Sequence, residues 1–418
     1  MPQATSGAPR TSRTRVRLAL FALALGGFGI GATEYVAAGL LPDLTRELLA
    51  SLNATDPEQA ISQAGWVISA YAAGVVVGAP TIAMFAGRVP RKTLLLAALV
   101  VFVIGSVASA LAPTFEFLIV ARFLAALPHG AYFGIASLLA ADLLGPGKRA
   151  QGVAFVLGGL TVANVIGVPA ITLLGQVSSW RIAYLGVAAI FALAVAAMAL
   201  TVPPSPGDPT STARRELGGF RNPGIWIALA SSSIGFGGFF AVQSYIAPLT
   251  TEVAGLNAGW VPVVLVVGGV GMTIGNFVGG RLADRATMAT IFGGMGAFAA
   301  ALALLAFVAP TPVGLVIGVF LVVGTGSALS PAFQSRLMEI AGRSQILAAA
   351  SHHAAMNLGN SMGAFLGGAV IAAGWGYVAP SWVGVALCVP GVLLALLSWR
   401  LTRDAPDHLA PGERLAAG

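Results

Sequence analysis

Residues 182–202, IAYLGVAAIFALAVAAMALTV, contain no charged side chain over 21 consecutive positions. An α-helix needs about 20 apolar residues to cross the hydrocarbon core of a bilayer, so this run is long enough for one transmembrane span. Similar runs recur along the chain between short segments rich in Arg, Lys, Pro or Gly. We predict twelve spans, at residues 18–41, 65–86, 93–112, 116–141, 150–172, 181–202, 224–249, 259–282, 288–309, 312–335, 345–372 and 378–399.

The composition of the whole chain favours an all-α membrane protein. Of its 418 residues, 57% are hydrophobic and 9% are charged, and the mean hydropathy is +0.88. A soluble domain carries charge on about a quarter of its residues, and in lipid the backbone polar groups must be paired within helices. The single cysteine, the scattered histidines and the lack of a G-x-x-x-x-G-K-[ST] loop predict no metal, cofactor or nucleotide site.

The basic residues predict the orientation of the chain. If the N-terminus is cytoplasmic, 19 of the 22 Lys and Arg residues lie in the tails and the cytoplasmic loops. This bias predicts cytoplasmic termini at both ends. The excess of Arg over Lys points to a bacterial source, and hence to the inner membrane. Because the positive charge is explained by topology, we expect no nucleic-acid partner.

The basic N-terminus also resembles the start of a signal peptide. The apolar run that follows is too long for one, however, and ends in Leu41-Pro42-Asp43 rather than in a small-residue cleavage site. We therefore expect the first helix to be retained.

The two halves of the chain resemble each other. Gly29, Gly31 and Pro42 match Gly235, Gly237 and Pro248 at an offset of 206, and the pair Asn164 and Gly167 matches Asn360 and Gly363 at 196. Repetition of six spans in one orientation is typical of transporters that bind their substrate between two bundles. The predicted parts are a cytoplasmic tail at 1–17, a six-helix bundle at 18–202, a linker at 203–223, a second bundle at 224–400 and a tail at 401–418.

Several stretches resemble motifs of the major facilitator superfamily. Residues 280–285, GRLADR, resemble its loop motif, of which residues 83–92 are a divergent copy. Arg122 followed by Gly130 resembles the fourth-span motif, and residues 159–169, GLTVANVIGVP, resemble the fifth-span motif of antiporters.

The first span narrows the resemblance further. Residues 29–42, GIGATEYVAAGLLP, look like the twelve-span drug:proton antiporter group, and within it like the sugar-efflux and chloramphenicol-efflux branch. The resemblance implies two six-helix bundles and secondary transport without ATP. It also assigns a gating role to the loop-motif residues Arg88, Arg91, Asp284 and Arg285.

Three ionisable residues inside the predicted spans are candidates for proton coupling. Burying such groups in a membrane costs about 2.5–3.5 kcal/mol on insertion scales, so they are functional candidates. Glu34 and Arg122 lie about 10 and 9 Å from the outer ends of their helices, at similar depth. We expect Glu34 to carry the proton and Arg122 to tune its affinity. Alternatively, the two form a permanent ion pair or bond to backbone. His129, seven residues after Arg122, is a possible relay or a neutral helix contact.

Polar residues elsewhere in the spans are candidates for substrate contact. His353, Asn357 and Asn360 recur at i, i+4 and i+7 of the eleventh span, a stripe that either faces a cavity or joins helices. The other candidates are Tyr35, Asn164, Gln243 and Tyr245.

Further residues are assigned to gating or packing. Asp142 ends the fourth span and is expected either to gate or to pair with Lys148 or Arg149. Small or bending residues are expected to allow close helix approach, in a moving or a static interface: Gly159, Gly167, Pro169 and Gly363.

Three functions remain open at this point. The first is proton-coupled efflux of a small, drug-like amphipathic compound by a monomer, with the compound, protons and the lipid bilayer as its partners. The second is transport of a sugar or nucleoside by the same fold. The third is a membrane enzyme or sensor, which the lack of a catalytic cluster and the short tails disfavour.

Overall fold

The computed structural model describes residues 13–86, 89–145, 149–205, 223–341 and 345–403, and within these ranges the chain is helical, without β-strands. In this described part, ten helices are long and apolar enough to cross a membrane. One of them, Trp260–Val308, has 49 residues and supplies two spans, divided at Ala286. A further helix, Gln345–Val370, is long enough at 26 residues, although it carries the polar stripe. The twelve predicted spans are thus present.

The N-terminal half contains the first six spans. They are formed in order by α1, α5, α6, the pair α7 and α8, the pair α9 and α10, and α11. Their bounds, with those of the short helices between the first two spans, are α1 Arg13–Gly39, α2 Leu41–Leu48, α3 Ala50–Thr55, α4 Pro57–Ala64, α5 Trp66–Ala86, α6 Arg91–Ala110, α7 Phe115–Ala126, α8 His129–Leu144, α9 Arg149–Val162, α10 Val168–Val177 and α11 Trp180–Thr201.

The C-terminal half contains the other six. The seventh span is α12, α13 forms the eighth and ninth, and α14 to α16 form the tenth to twelfth. A short extension, Ile246–Pro248 and the π-turn Leu249–Val253, follows α12. The bounds are α12 Pro223–Ser244, α13 Trp260–Val308, α14 Pro312–Ala341, α15 Gln345–Val370 and α16 Ala379–Arg403.

In three places the structure differs from a chain of continuous helices joined by open loops. The fourth span is interrupted at Leu127 and Pro128, because proline cannot donate the backbone hydrogen bond that a continuous helix requires. The eighth and ninth spans are joined without a loop, and only Ala286 leaves helical geometry, at φ −161° and ψ 86°. The segment after the first span forms α2 to α4 rather than an open loop, and Asp56 caps α4 by accepting a hydrogen bond from the Gln59 amide at 3.0 Å.

Small residues set the packing within each half. A Cβ at Gly159 would lie 2.0 Å from the Ala24 carbonyl oxygen, so the fifth span touches the first at backbone distance. A Cβ at Gly363 would lie 2.2 Å from the Gly237 carbonyl oxygen, so the eleventh span touches the seventh equally closely. Gly167 faces the Phe28 ring, and Pro169 opens α10 directly after a π-helical turn. These residues lie in packed interfaces within the N-terminal and C-terminal halves.

The two halves meet along the second and eleventh spans and along the fifth and eighth spans. We call the side on which α1 begins the N-terminal face, and the other side the opposite face. The Ser69 hydroxyl donates to the Ser361 carbonyl at 3.2 Å, and the Ser361 hydroxyl donates back to the Ser69 carbonyl at 3.3 Å. At the opposite face, Gln176 Nε2 of the fifth span donates to the Ala258 carbonyl at 3.0 Å.

Candidate functional site

Arg122 is the most deeply held charge of the N-terminal half. It is 1% exposed. Its Nη1 donates to Thr33 Oγ1 at 2.8 Å and its Nη2 donates to the Thr33 carbonyl oxygen at 2.7 Å. The two nitrogens of one guanidinium thus hold the hydroxyl and the carbonyl of one residue. Because Thr33 directly precedes Glu34, Arg122 and Glu34 lie at the same depth, as their spacing from the helix ends predicts.

Aromatic rings complete the surroundings of Arg122. Its Cζ lies 4.2 Å from the centre of the Tyr71 ring and 5.4 Å from that of Tyr184. Both distances allow cation–π attraction, which is strengthened where water is excluded. Within the described ranges, Arg122 Nε has no hydrogen-bond partner. The charge is therefore stabilised by neutral groups.

Glu34 is 7% exposed, and within the described residues its carboxylate makes no hydrogen bond or ion pair. The alternative of a permanent Glu34–Arg122 ion pair is therefore not what this structure shows, whereas backbone bonding of Arg122 is. The two charges are still close enough to interact electrostatically. Since an unpaired buried carboxylate is costly, Glu34 is suited to change its protonation state.

His129 extends this cluster through Tyr71. The Tyr71 hydroxyl and His129 Nδ1 share a hydrogen bond of 3.1 Å. Tyr71 thus contacts Arg122 with its ring and His129 with its oxygen, and joins two of the three predicted coupling residues. Glu34, Arg122, Tyr71 and His129 form what we call the coupling cluster.

The cluster continues into the C-terminal half. The His129 ring lies 5.5 Å from that of Phe133, and Phe133 stacks on His353 of the eleventh span at 5.8 Å with 11° between the planes. The neighbouring His352 points elsewhere, since its Nε2 and Ser330 Oγ of the tenth span are hydrogen-bonded at 3.1 Å. The structure thus brings His353, but not His352, to the interface between the halves.

The polar stripe of the eleventh span faces the N-terminal half. His353 contacts the fourth span and Ser361 the second, and Asn357 lies between them on the same helix face. Leu358 and Phe365 of the same helix are 49% and 54% exposed, as expected of side chains that face lipid. The stripe therefore lies between the bundles.

Of the remaining substrate candidates, Tyr35 lies beside the coupling cluster, close enough to Glu34 and Tyr71 to interact electrostatically. The contacts of Tyr245 and Asn164 lie elsewhere. Tyr245 donates to the Ala364 carbonyl at 2.7 Å, a contact between the seventh and eleventh spans within one half. Asn164 Nδ2 donates to the Leu160 carbonyl of its own helix at 3.0 Å, and the backbone carbonyl oxygen of Asn164 abuts Gly269 of the eighth span. Tyr35 and Gln243 are half-buried, with no hydrogen bond among the described residues.

The loop-motif residues are only partly joined. Arg91 at the start of the third span forms an ion pair with Asp142 at the end of the fourth. The expected partner Lys148 lies outside the described residues, and so does Arg88. Arg91 can pair with Asp142 because the third and fourth spans are antiparallel neighbours. The start of the third span therefore lies beside the end of the fourth. Asp284 and Arg285 are exposed.

The N-terminal face shows the internal repeat in atomic detail. Thr287 donates to Glu339 at 3.0 Å, and these residues follow Arg91 and Asp142 at offsets of 196 and 197. Lys92 donates to the Val202 carbonyl at 2.6 Å, and Arg336 donates to the Ser398 carbonyl at 2.8 Å, again with acceptors 196 apart. Each half thus joins its helix ends by polar contacts at equivalent positions, and the donor residues differ between the halves.

Comparisons with known proteins agree with this architecture. The sequence pattern described as Major Facilitator Superfamily matches residues 23–351. The inner membrane transport protein YdhP of Escherichia coli is 35% identical over 94% of this chain and 98% of its own length. A chloramphenicol resistance protein of Streptomyces lividans is 30% identical over 90% and 95%, respectively.

A solved structure extends the likeness to the fold. A bacterial homologue of the human lysosomal transporter Spinster, in an inward-facing and occupied conformation, aligns with a TM-score of 0.72 at 17% identity, over 93% of this chain and 98% of the other. At this identity the likeness concerns the fold alone. Together with the family match, it means that the chain belongs to the major facilitator superfamily and is a multi-pass membrane transporter, not an enzyme.

Proposed function

We propose that this protein is a proton-coupled antiporter that exports a small amphipathic compound by alternating access. The observation that carries the proposal is Glu34, a buried carboxylate that has no bonded partner among the described residues and lies beside an arginine already held by Thr33. We further propose that it works as a monomer in a bacterial inner membrane, with both termini in the cytoplasm. The N-terminal face would then be cytoplasmic.

The surroundings of Glu34 support a role in carrying a proton. A buried charge without a bonded counter-ion is unstable, and protonation removes it. Arg122 cannot swing freely to neutralise Glu34, because two hydrogen bonds to Thr33 and the Tyr71 ring hold it. Its fixed positive charge favours the ionised carboxylate, while burial favours the neutral acid. Hydration or a bound substrate can shift this balance and release the proton.

The contacts between the halves support alternating access. Transport in this fold requires one bundle to rock against the other around a central site. The reciprocal bonds of Ser69 and Ser361 and the stack of Phe133 on His353 would have to separate in the course of that motion. Each of these two contacts involves only one or two hydrogen bonds or one ring stack, which contribute little individually. The predicted division into bundles at 18–202 and 224–400 is consistent with these contacts and stays a prediction.

Export of an amphipathic compound is supported by a relative. The Streptomyces lividans protein is named for chloramphenicol resistance, which a transporter confers by lowering the internal concentration of the drug. The mixed surface of the interface, with an ionisable cluster and aromatic rings together, suits a compound that has both polar and apolar parts.

Transport into proteoliposomes under an imposed pH gradient tests the proposal. Chloramphenicol is the first probe, with Glu34→Gln as the variant and Glu252→Gln, an exposed carboxylate at the opposite face, as the matched control. Gradient-driven movement in the wild type and in Glu252→Gln, lost in Glu34→Gln, is the expected result. Movement that ignores the gradient in the wild type, or that keeps its full pH dependence in Glu34→Gln, contradicts it.

A further inference from the structure

At the interface between the halves, a stretch of the eleventh span lies between two contacts with the N-terminal half. Phe133 stacks on His353 toward the N-terminal face, and Ser69 bonds to Ser361 toward the opposite face. The two contact points are eight residues apart on one helix, or about 12 Å at 1.5 Å per residue. The polar side chains between these contacts are buried in this structure, and the proposed rocking of the bundles would give a small molecule access to them.

Two hydrogen-bond acceptors in this stretch lack partners among the described residues. Asn357 and Asn360 are 4% and 2% exposed. Asn357 uses its Nδ2 to donate to the His353 carbonyl at 3.0 Å, which fixes its amide orientation and leaves Oδ1 unpaired. Asn360 Oδ1 is also buried without a partner. Buried acceptors of this kind are costly, and two on neighbouring turns of one helix face indicate a place where something else donates to them.

The charges around the stripe decide what kind of donor fits. The eleventh span contains no acidic side chain. The contacts from the stripe to the coupling cluster run from His353 through Phe133 to His129. The carboxylate of the cluster, Glu34, lies at its far end beside Arg122. A buried cation would need a counter-charge that the stripe does not offer. An uncharged donor, such as a hydroxyl or an amide N–H, needs no counter-charge.

We propose that Asn357 and Asn360 form a subsite for the polar end of an uncharged ligand that donates at least two hydrogen bonds. The side chains of residues three apart on a helix are about 5–6 Å apart at Cβ, so the two donors belong on neighbouring carbons or on a short chain, as in a diol or an amide alcohol. This inference rests on the proposed transport of an amphipathic compound and deepens it by naming the chemistry of the compound's polar end.

Matched ligand pairs test the subsite. Thiamphenicol and florfenicol differ by one hydroxyl, which is fluorine in florfenicol, and uridine differs from 2′,3′-dideoxyuridine by two hydroxyls. Equilibrium binding to the purified full-length protein in detergent is compared for the wild type, Asn357→Leu, Asn360→Leu and the double variant. Asn257→Leu, at an exposed asparagine between the seventh and eighth spans, is the control.

The subsite predicts that the wild type and Asn257→Leu bind the hydroxylated member of at least one pair about tenfold more tightly or better, since its partner leaves a buried acceptor unpaired. The two single variants reduce this preference and the double variant abolishes it. Three results would overturn the proposal: equal binding of both members by the wild type, no binding of either hydroxylated compound, or a preference that survives in the double variant. Ordered water would then be the donor to the two acceptors.

The ligand comparison in the wild type needs no variant, so the test holds even if a variant fails to fold. Binding is measured without a pH gradient, so the absence of proton coupling would not affect its outcome. Failure of the subsite and failure of the proposed antiport are thereby distinguishable.

Discussion

Arg122 of the fourth span holds both the hydroxyl and the carbonyl oxygen of Thr33 in the first span, at 2.8 and 2.7 Å. These two hydrogen bonds, which we call the Arg122 fork, fix a positive charge beside Glu34. They do so without an ion pair between Arg122 and Glu34. They also join two helices of the N-terminal half at the depth where the proton is proposed to bind. The strength of the fork is therefore the first property to measure.

Replacing Thr33 by Val removes the hydroxyl acceptor but keeps the carbonyl and the side-chain volume. A hydrogen bond to a charged group contributes about 1.5–3 kcal/mol, so we expect Thr33→Val to lower the thermal unfolding midpoint and to slow gradient-driven transport. The control is Thr325→Val, because Thr325 bonds only to carbonyls of its own helix. An unfolding midpoint and a transport rate equal to those of the control would contradict the assigned fork.

Tyr71 has two roles that substitutions can separate. Tyr71→Phe keeps the ring under Arg122 and removes the hydrogen bond to His129, so we expect a reduced transport rate with little loss of stability. Tyr71→Ala also removes the cation–π contact, which is worth about 2 kcal/mol or more when desolvated, so this variant should unfold at a lower temperature as well. Transport rates and unfolding midpoints measured for both variants test this separation. Equal stability of the two variants would argue against the contact with Arg122.

The serine pair between the halves can be tested by cross-linking. In a background where the buried Cys388 is replaced by Ala, we expect Ser69→Cys and Ser361→Cys together to form a disulfide or to react with a short bifunctional thiol reagent. Transport should stop on cross-linking and resume on reduction of the disulfide. Each single cysteine serves as a control. A cross-linked protein that still transports would show that this contact need not open.

Close packing of the seventh and eleventh spans makes Gly363 intolerant of larger residues. A Cβ there meets the Gly237 carbonyl oxygen at 2.2 Å, and backbone cannot move aside cheaply. We expect Gly363→Val to destabilise the fold by more than about 2 kcal/mol, through overpacking. Gly296→Val is the matched control, since a Cβ at Gly296 has no neighbour within 4 Å. Comparable expression and unfolding midpoints for the two variants would contradict the packing account.

The spans and the repeat could be predicted from the sequence because both are local or periodic. The length of the apolar runs and the basic residues of the loops locate the membrane helices and their orientation. The matching residues at offsets of 196 and 206 align the two halves. The shared depth of Glu34 and Arg122 follows from counting residues along two antiparallel helices. The break in the fourth span at Pro128 was not predicted, since the predicted span runs through it.

Partners that are distant in sequence could not be predicted in this way. Tyr71 is one aromatic residue in an apolar run, and only the placement of the second span against the fourth brings it to Arg122 and His129. Asp142 pairs with Arg91, 51 residues away, a partner that the sequence did not indicate. The sequence also left open whether the stripe of the eleventh span faces a cavity or joins helices. The structure places the stripe opposite the fourth and second spans, between the halves, and its contact with substrate stays a prediction.

The central claim, that Glu34 carries the coupled proton, is tested most directly by comparing two modes of transport in the same Glu34→Gln proteoliposomes. One mode is accumulation driven by a pH gradient, and the other is exchange of labelled for unlabelled substrate at equal pH, which needs no net proton movement. A permanently neutral residue at position 34 should abolish accumulation while exchange persists. Gradient-driven accumulation at the wild-type rate in Glu34→Gln would contradict the claim.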